Sequence, residues 1–463
     1  MRPWELARDL LRQTQPVTRS DEEQTWDASG LIAEADMRLR QFWDSRVPGS
    51  AAPECLMAGA LQSLENKGLR LDPACDGLLA AGREAVAGGD FERLHRIDMR
   101  LRALMRAATP DPGHKSQKTL RHADWAAFEV AVAFPSDEPV DDATLADRIR
   151  GGWLGQLVGA AAGTALEGYT AENLERAFGR IDRYVRPPNT YNDDITFEIA
   201  FLEAFAAKGH AVTGADIAEN WTGMIPLGWS AEGVALDAIR RGILPPESGR
   251  ADNPFDEWIG AQMRGVICGM VAPGRARAAA RLAWTDAEVS HTGNGILGEV
   301  FNAVLAARAF HHSDARALLD EAIALVPEAT EYGQAIRTAR RACEGAATWQ
   351  DAWAACDAIY IEYNWIHVLP NAAAQVIGLW WGNGDFDRTL EVICGIGHDV
   401  DCNAAQMLGV LGLMQGTAAI APRWTEPLLQ GDIITYMRRP AAIPFDTLVA
   451  MTVDAARRHA PVA

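Results

Sequence analysis

Gly397-His398-Asp399-Val400-Asp401-Cys402-Asn403-Ala404-Ala405 runs on into Gln406-Met407-Leu408-Gly409-Val410-Leu411-Gly412. A Gly-led turn, two carboxylates two residues apart and a run of small residues read as a turn opening a tightly packed helix. Asp399 and Asp401 fall at or just before the helix N-terminus, where free N–H groups and the positive end of the dipole favour anions. Two carboxylates on a short arm can also grip a hard cation through oxygen. Asp is an ordinary N-cap residue as well, so a capped turn accounts for this stretch taken alone. A second arm, Tyr191-Asn192-Asp193-Asp194-Ile195-Thr196-Phe197, lies upstream. Its adjacent carboxylates repel unless a cation or a helix N-terminus neutralises them. It too opens an apolar-periodic helix, with Ile199, Leu202 and Phe205 three apart. Two such arms in one chain point to a metal site.

Outward from these arms the chain reads as helix. A helix beginning near Asp147 carries Gly151, Gly155, Gly159 and Gly163, one glycine every four residues. Glycine weakens an isolated helix by about 1 kcal/mol relative to alanine, so a whole stripe makes sense where another backbone comes close. Gly409, Gly412 and Gly416 give the helix after Asp401 a small face of its own. Ala and Gly are abundant and β-branched residues are not, which favours an all-α fold. The expected organisation is a compact helical domain over 143–463, preceded by an N-terminal helical accessory region over 1–108 and a linker over 109–142. Helical faces in the accessory region fall at Leu6, Leu10 and Leu11, at Ile32, Ala35, Leu39 and Phe42, and along Phe91, Leu94, Ile97, Leu101, Leu104 and Met105. Alternation around Ala131-Val132-Ala133-Phe134 suggests a short strand. Residues 1–140 carry no recognisable chemistry. The proline-rich tail beyond 421 is expected to wrap the surface.

Composition limits the partners. The 463 residues carry 62 acidic and 43 basic side chains, a formal charge of −19, which argues against nucleic acid or an anionic membrane as partner. Apolar content of 48% is enough for a large core. Seven cysteines without a CxxC pair read as reduced thiols of a cytoplasmic protein. The sequence holds neither a signal-peptide core at its start nor an apolar run long enough to span a bilayer.

Further candidates lie on loops and helix ends. Glu167 follows Ala165-Leu166 where the Gly-striped helix should end. A carboxylate is disfavoured there by the dipole, which hints at a role other than stability, although a solvated Glu is as simple a reading. Ser290-His291-Thr292-Gly293-Asn294-Gly295 places His291, Asn294 and Gly295 in a Gly-rich loop opening a helix, a setting suited to sugar or phosphate contact or to a plain structural turn. His367 and Asn371 share a face only if a helix runs through Pro370, which proline opposes.

Three motifs in order resemble the ADP-ribosylglycohydrolase family, which includes the dinitrogenase-reductase-activating glycohydrolase. Gly159-Ala160-Ala161-Ala162-Gly163-Thr164-Ala165-Leu166-Glu167 is similar to the family's G-D-A-x-G-x-x-x-E, with Ala160 in place of Asp. Tyr191-Asn192-Asp193-Asp194-Ile195 resembles Y-T-D-D-T, and Gly397-His398-Asp399-Val400-Asp401-Cys402 resembles G-x-D-T-D-T, nearest a branch with D-T-D-C-N. The resemblance covers roughly residues 145–420. It implies an all-helical domain with one or two Mg²⁺ or Mn²⁺ ions, which hydrolyses the C1 bond of a ribose joined to a protein side chain or a small leaving group. By position, Asn192, Asp193, Asp194, Asp399, Asp401 and Cys402 would form the metal shell. Catalytic roles would fall to Glu167, Asp194 and Asp399, and substrate contacts to His291, Asn294, Gly295, His367 and Asn371. The implied partner is a small-molecule or ADP-ribosylated substrate. Ile195 offers no oxygen, and Cys402 replaces a hard hydroxyl by a soft thiol, which bears on the second metal position. An N-ribosidase of nucleoside-like metabolites and an inactive, ligand-binding member remain as alternatives. The clustered, mutually repelling carboxylates argue against the last.

Overall fold

The Asp142–Gly163 helix and the Val400–Gln415 helix lie backbone to backbone at the centre of the molecule. Asp141 starts the first by accepting the Ala143 N–H. The glycine stripe then faces the second helix along its whole length. A Cβ on Gly151 would lie 2.5 Å from the Gly412 carbonyl oxygen, and a Cβ on Gly155 or Gly159 would collide with the backbone at Leu408 or Ala404. At the end of the stripe Gly163 sits directly against the backbone of Asp401. Every residue of the first helix from Gly151 to Gly163 is buried, so this pair is core and not surface.

The structure, a computed structural model, describes residues 1–459; the last four residues of the expected main domain lie outside them. Among the described residues the fold is all-α, 22 α-helices with strands of only two residues. Around the central pair the Asp193–Lys208, Gly293–Ala309 and Val368–Gly382 helices complete one continuous apolar core. Pro370 does not break the last of these. It stands in the first helical turn, where no helical carbonyl is waiting for its missing N–H.

The N-terminal region has a small core of its own, including Leu39, Trp43, Met57, Leu61, Leu94, Ile97 and Leu101. The Pro3–Gln13 helix forms as its spacing predicts, but none of its residues is buried. The region docks through its Leu56–Asn66 helix: Trp258 Nε1 donates to Ser63 Oγ (2.7 Å), and Gln62 donates to the Glu362 carbonyl (2.8 Å). The stretch expected as a linker also binds the main core, Arg121 pairing with Glu257 at 2.5 Å. Its Ala131–Phe134 segment is not a strand. Asp124 accepts the Ala127 N–H and starts a helix over Trp125–Ala131, drawn onto the core by buried Phe128 packing on Trp284. The tail does more than wrap the surface: Trp153 Nε1 donates to Thr452 Oγ1 (2.9 Å), which sets the Phe445–Arg458 helix against the central pair.

Candidate metal centre

Each acidic arm opens a helix, and the two openings meet. Asn192 caps the Asp193–Lys208 helix, its Oδ1 accepting the Asp194 N–H at 2.8 Å. Its Nδ2 donates to Asp401 Oδ2 at 3.1 Å. Asn192, expected as a ligand, is seen here as a cap and a tether between the arms. On the other arm Asp401 Oδ1 accepts the Cys402 N–H at 3.0 Å. Ligand atoms of Asp193, Asp194 and Asp401 lie within 4.8 Å of one another, as do those of Asp399, Asp401 and Cys402. Asp401 is common to both groups. Asp194, Asp399, Asp401 and Cys402 are all buried.

Glu167 reaches the same place from the end of the glycine stripe. Its turn is fixed by backbone pairing with the metal loop: Gly168 N–H donates to the His398 carbonyl (2.9 Å), and Tyr169–Thr170 pairs antiparallel with Gly397–His398. Gly168 has φ +77° and His398 φ +63°, so both sides of the pairing bend through the left-handed region. That conformation is free for glycine and strained for His398, whose ring is held edge-on to Trp353.

Burial and mutual repulsion dominate the electrostatics. Glu167 is pushed well above the ordinary carboxylate range by burial, then by Asp401, Asp399, Asp193 and Asp194. Burial and Asp401 push Asp193 up to about 7 and drive Asp194 and Asp399 far up as well. Among the described residues, both oxygens of Asp194 and Oδ1 of Asp399 are buried without a hydrogen-bond partner. Unpaired, converging carboxylate oxygens fit a hard divalent cation, which would relieve the repulsion and complete their coordination. Cys402 fits it less well. Burial and the four aspartates push its thiol well above its ordinary value, leaving a neutral, soft sulfur at the edge of an oxygen site.

The family model for ADP-ribosylglycohydrolase matches residues 141–451, from the cap of the central helix to the tail helix. The chain belongs to the ADP-ribosylglycohydrolase family. Family membership supports glycohydrolase activity in the broad sense, and the family is typically metal-dependent. Among solved structures, a chain of an ADP-ribosylglycohydrolase-related protein complex aligns at 18% identity over 69% of this chain and 100% of its own, with a TM-score of 0.49. No curated protein matches.

In this ADP-ribosylglycohydrolase-family chain the residues expected at substrate are held in the frame around the site. Asn371 Oδ1 accepts the Asp399 N–H (3.3 Å) and Asn403 Nδ2 (2.7 Å), while its Nδ2 donates to the carbonyls of Trp365 and His367. It thus pins the metal loop from behind. His367 caps the Val368–Gly382 helix through Nδ1, and burial lowers it to about 3, so it stays neutral. His291 is buried beside Ser290 Oγ (2.7 Å) and Arg264. Asn294 is held between Glu257 and Glu331, and Gly295 is packed on the Asp256 carbonyl. These loops read as sugar-contacting because Gly, Asn and His suit both ligands and buried turns; the structure places them in buried turns.

Three neighbours of the site carried no sequence signal. Glu232, in the first turn of the Ser230–Arg240 helix, acts on Asp193 and is itself paired with buried Arg264 at 2.9 Å. Tyr436 comes from the tail, near Asp193, its ring tilted against that of Tyr191 with centroids 5.8 Å apart. Gly49 comes from the N-terminal region and touches Glu167.

Proposed function

We propose that this protein is a divalent-metal-dependent glycohydrolase that cleaves the C1 bond of an ADP-ribosyl or ribosyl conjugate. Asp193, Asp194, Asp399 and Asp401 would hold Mg²⁺ or Mn²⁺, with Asp401 shared between two positions. The observation that carries the reading is the convergence of those carboxylates, Asp194, Asp399 and Asp401 buried and Asp193 half-buried, at two helix openings. When bound, the ions supply positive charge that orients ribose hydroxyls and acidifies water.

The chain's own groups do the rest. Cleavage at an anomeric carbon builds positive charge on the sugar, and the surrounding carboxylates stabilise it. Glu167 stands beside the four aspartates past the C-terminal end of the Gly-striped helix, where the dipole does not favour its ionised form. It exchanges a proton with the attacking water or the leaving group, a task suited to a carboxyl whose affinity for protons is raised.

The test is paired. Mn²⁺ titration of wild type and Asp401→Ala is followed by hydrolysis assays on an ADP-ribosylated peptide, free ADP-ribosyl conjugates and nucleosides. Wild type binds metal and releases a ribosyl product, and the variant does neither. Equal metal affinity in the two proteins overturns the metal assignment. A metal-binding wild type that hydrolyses none of the panel overturns the reaction class.

A further inference from the structure

The N-terminal region, outside the residues matched by the family model, reaches the site through a hairpin over Ser45–Glu54. Ser45–Arg46 pairs with Pro53–Glu54, and the Val47 N–H closes the turn on the Ala52 carbonyl at 2.9 Å. Its tip lies on the turn that carries Glu167. A Cβ on Gly49 would collide with the Thr164 methyl and carbonyl and sit 2.7 Å from Glu167 Oε1. Val47 and Ala52 are buried beside Gly168, where an added Cβ would be 3.6 Å and 2.7 Å from them.

Hydrogen bonds hold this contact from both sides. Arg186 Nη1 donates to the Gly49 carbonyl (3.0 Å), and the Tyr169 hydroxyl donates to the Ser50 carbonyl (3.1 Å). At the hairpin's base Trp229 Nε1 donates to Glu54 Oε2 (3.1 Å). The helix that follows is the one anchored on Trp258 and Glu362. Glu167 therefore faces four aspartates on one side and an uncharged backbone wall on the other.

We propose that this hairpin is a positioning element of the site. Gly49 backs the Glu167 carboxylate and, with the Arg186 and Tyr169 ties, fixes its turn relative to Asp399 and Asp401. The inference rests on the role given to Glu167 above. It makes the working enzyme the whole chain and not the family-matched portion alone. Only a residue without a side chain fits between the hairpin and Glu167, so the position is set by the backbone itself.

The test uses Gly49→Val and Tyr169→Phe in the full-length protein, read by hydrogen exchange, steady-state kinetics and Mn²⁺ titration. Both variants should speed exchange in residues 164–170. Gly49→Val should lower kcat about 10-fold or more while KM and Mn²⁺ affinity stay within about twofold, since misplacement of a reacting group costs rate more than binding. Tyr169→Phe should lower kcat by less. Unchanged exchange in both variants overturns the bracing, and faster exchange with unchanged kcat overturns its role in positioning. If Gly49→Val does not fold, Tyr169→Phe decides, because it adds no bulk. If wild type turns over no ribosyl conjugate, the reaction class is what fails and exchange still decides whether the hairpin braces the turn.

Discussion

Replacing Gly151 by alanine should destabilise the protein although alanine is the better helix former. A Cβ there would lie 2.5 Å from the Gly412 carbonyl oxygen, 2.8 Å from the Gly416 carbonyl carbon and 3.1 Å from that of Gly412. All three are backbone atoms, so no side chain can rotate away, and ordinary contact requires the helices to part by roughly 1 Å. Overpacking of this kind costs about 1–3 kcal/mol, while helix propensity returns about 0.5–1 kcal/mol. The net expectation is a loss of about 1–2 kcal/mol, or about 1–2 °C in Tm for a chain of this length. Gly77 is the control: it is exposed within the Ala74–Gly88 helix, and a Cβ there meets nothing within 4 Å. Gly77→Ala should therefore stabilise by about 0.5–1 kcal/mol. Scanning calorimetry of the two variants gives the signs directly. A Gly151→Ala protein that melts at or above wild type would refute close backbone packing as the reason for the stripe.

Glu167→Gln should lower turnover by roughly 10²-fold or more with Tm close to wild type; an unchanged rate on a ribosyl substrate makes Glu167 a bystander. Cys402→Thr exchanges a soft thiol for a hard oxygen and should tighten Mg²⁺ binding and raise the number of ions bound. A titration showing two ions in wild type and no gain in the variant removes the thiol as the limit. Burial pushes Glu54 up to about 7, against an ordinary 4.5. Its folded form holds the proton more tightly than the unfolded chain does, so its contribution to stability is full below pH 4.5 and is lost as pH rises through about 7. Glu54→Gln should melt like wild type near pH 5 and higher than wild type at pH 8, by at most about 3 kcal/mol; coincident melts at pH 8 count against the assignment.

What could be read in the sequence was local. The acidic arms announce themselves because a helix opening is a short-range pattern, and the glycine stripe because its period of four has one economical packing explanation. Asn192 reads as a ligand because the residue that caps a helix and the residue that ligates a metal are chemically alike; the cap itself is visible only in the fold. His291, Asn294 and His367 read as substrate contacts on residue type alone; their burial is a long-range quantity that the sequence does not carry. Glu167 stood out in sequence, but its partners did not. The pairing of its turn with Gly397–His398, the Gly49 wall and the nearby Tyr436 join positions far apart in the chain.

Gly163 resting on the backbone of Asp401 has a kinematic consequence. The two central helices interlock like the teeth of a ratchet with a four-residue pitch. Sliding one past the other by a single residue, about 1.5 Å, would drive side-chain-bearing positions into backbone. Asp401 is thus anchored at the joint of the two central helices. The Glu167 turn, paired with Gly397–His398 just ahead of the second helix, is suspended from the same frame.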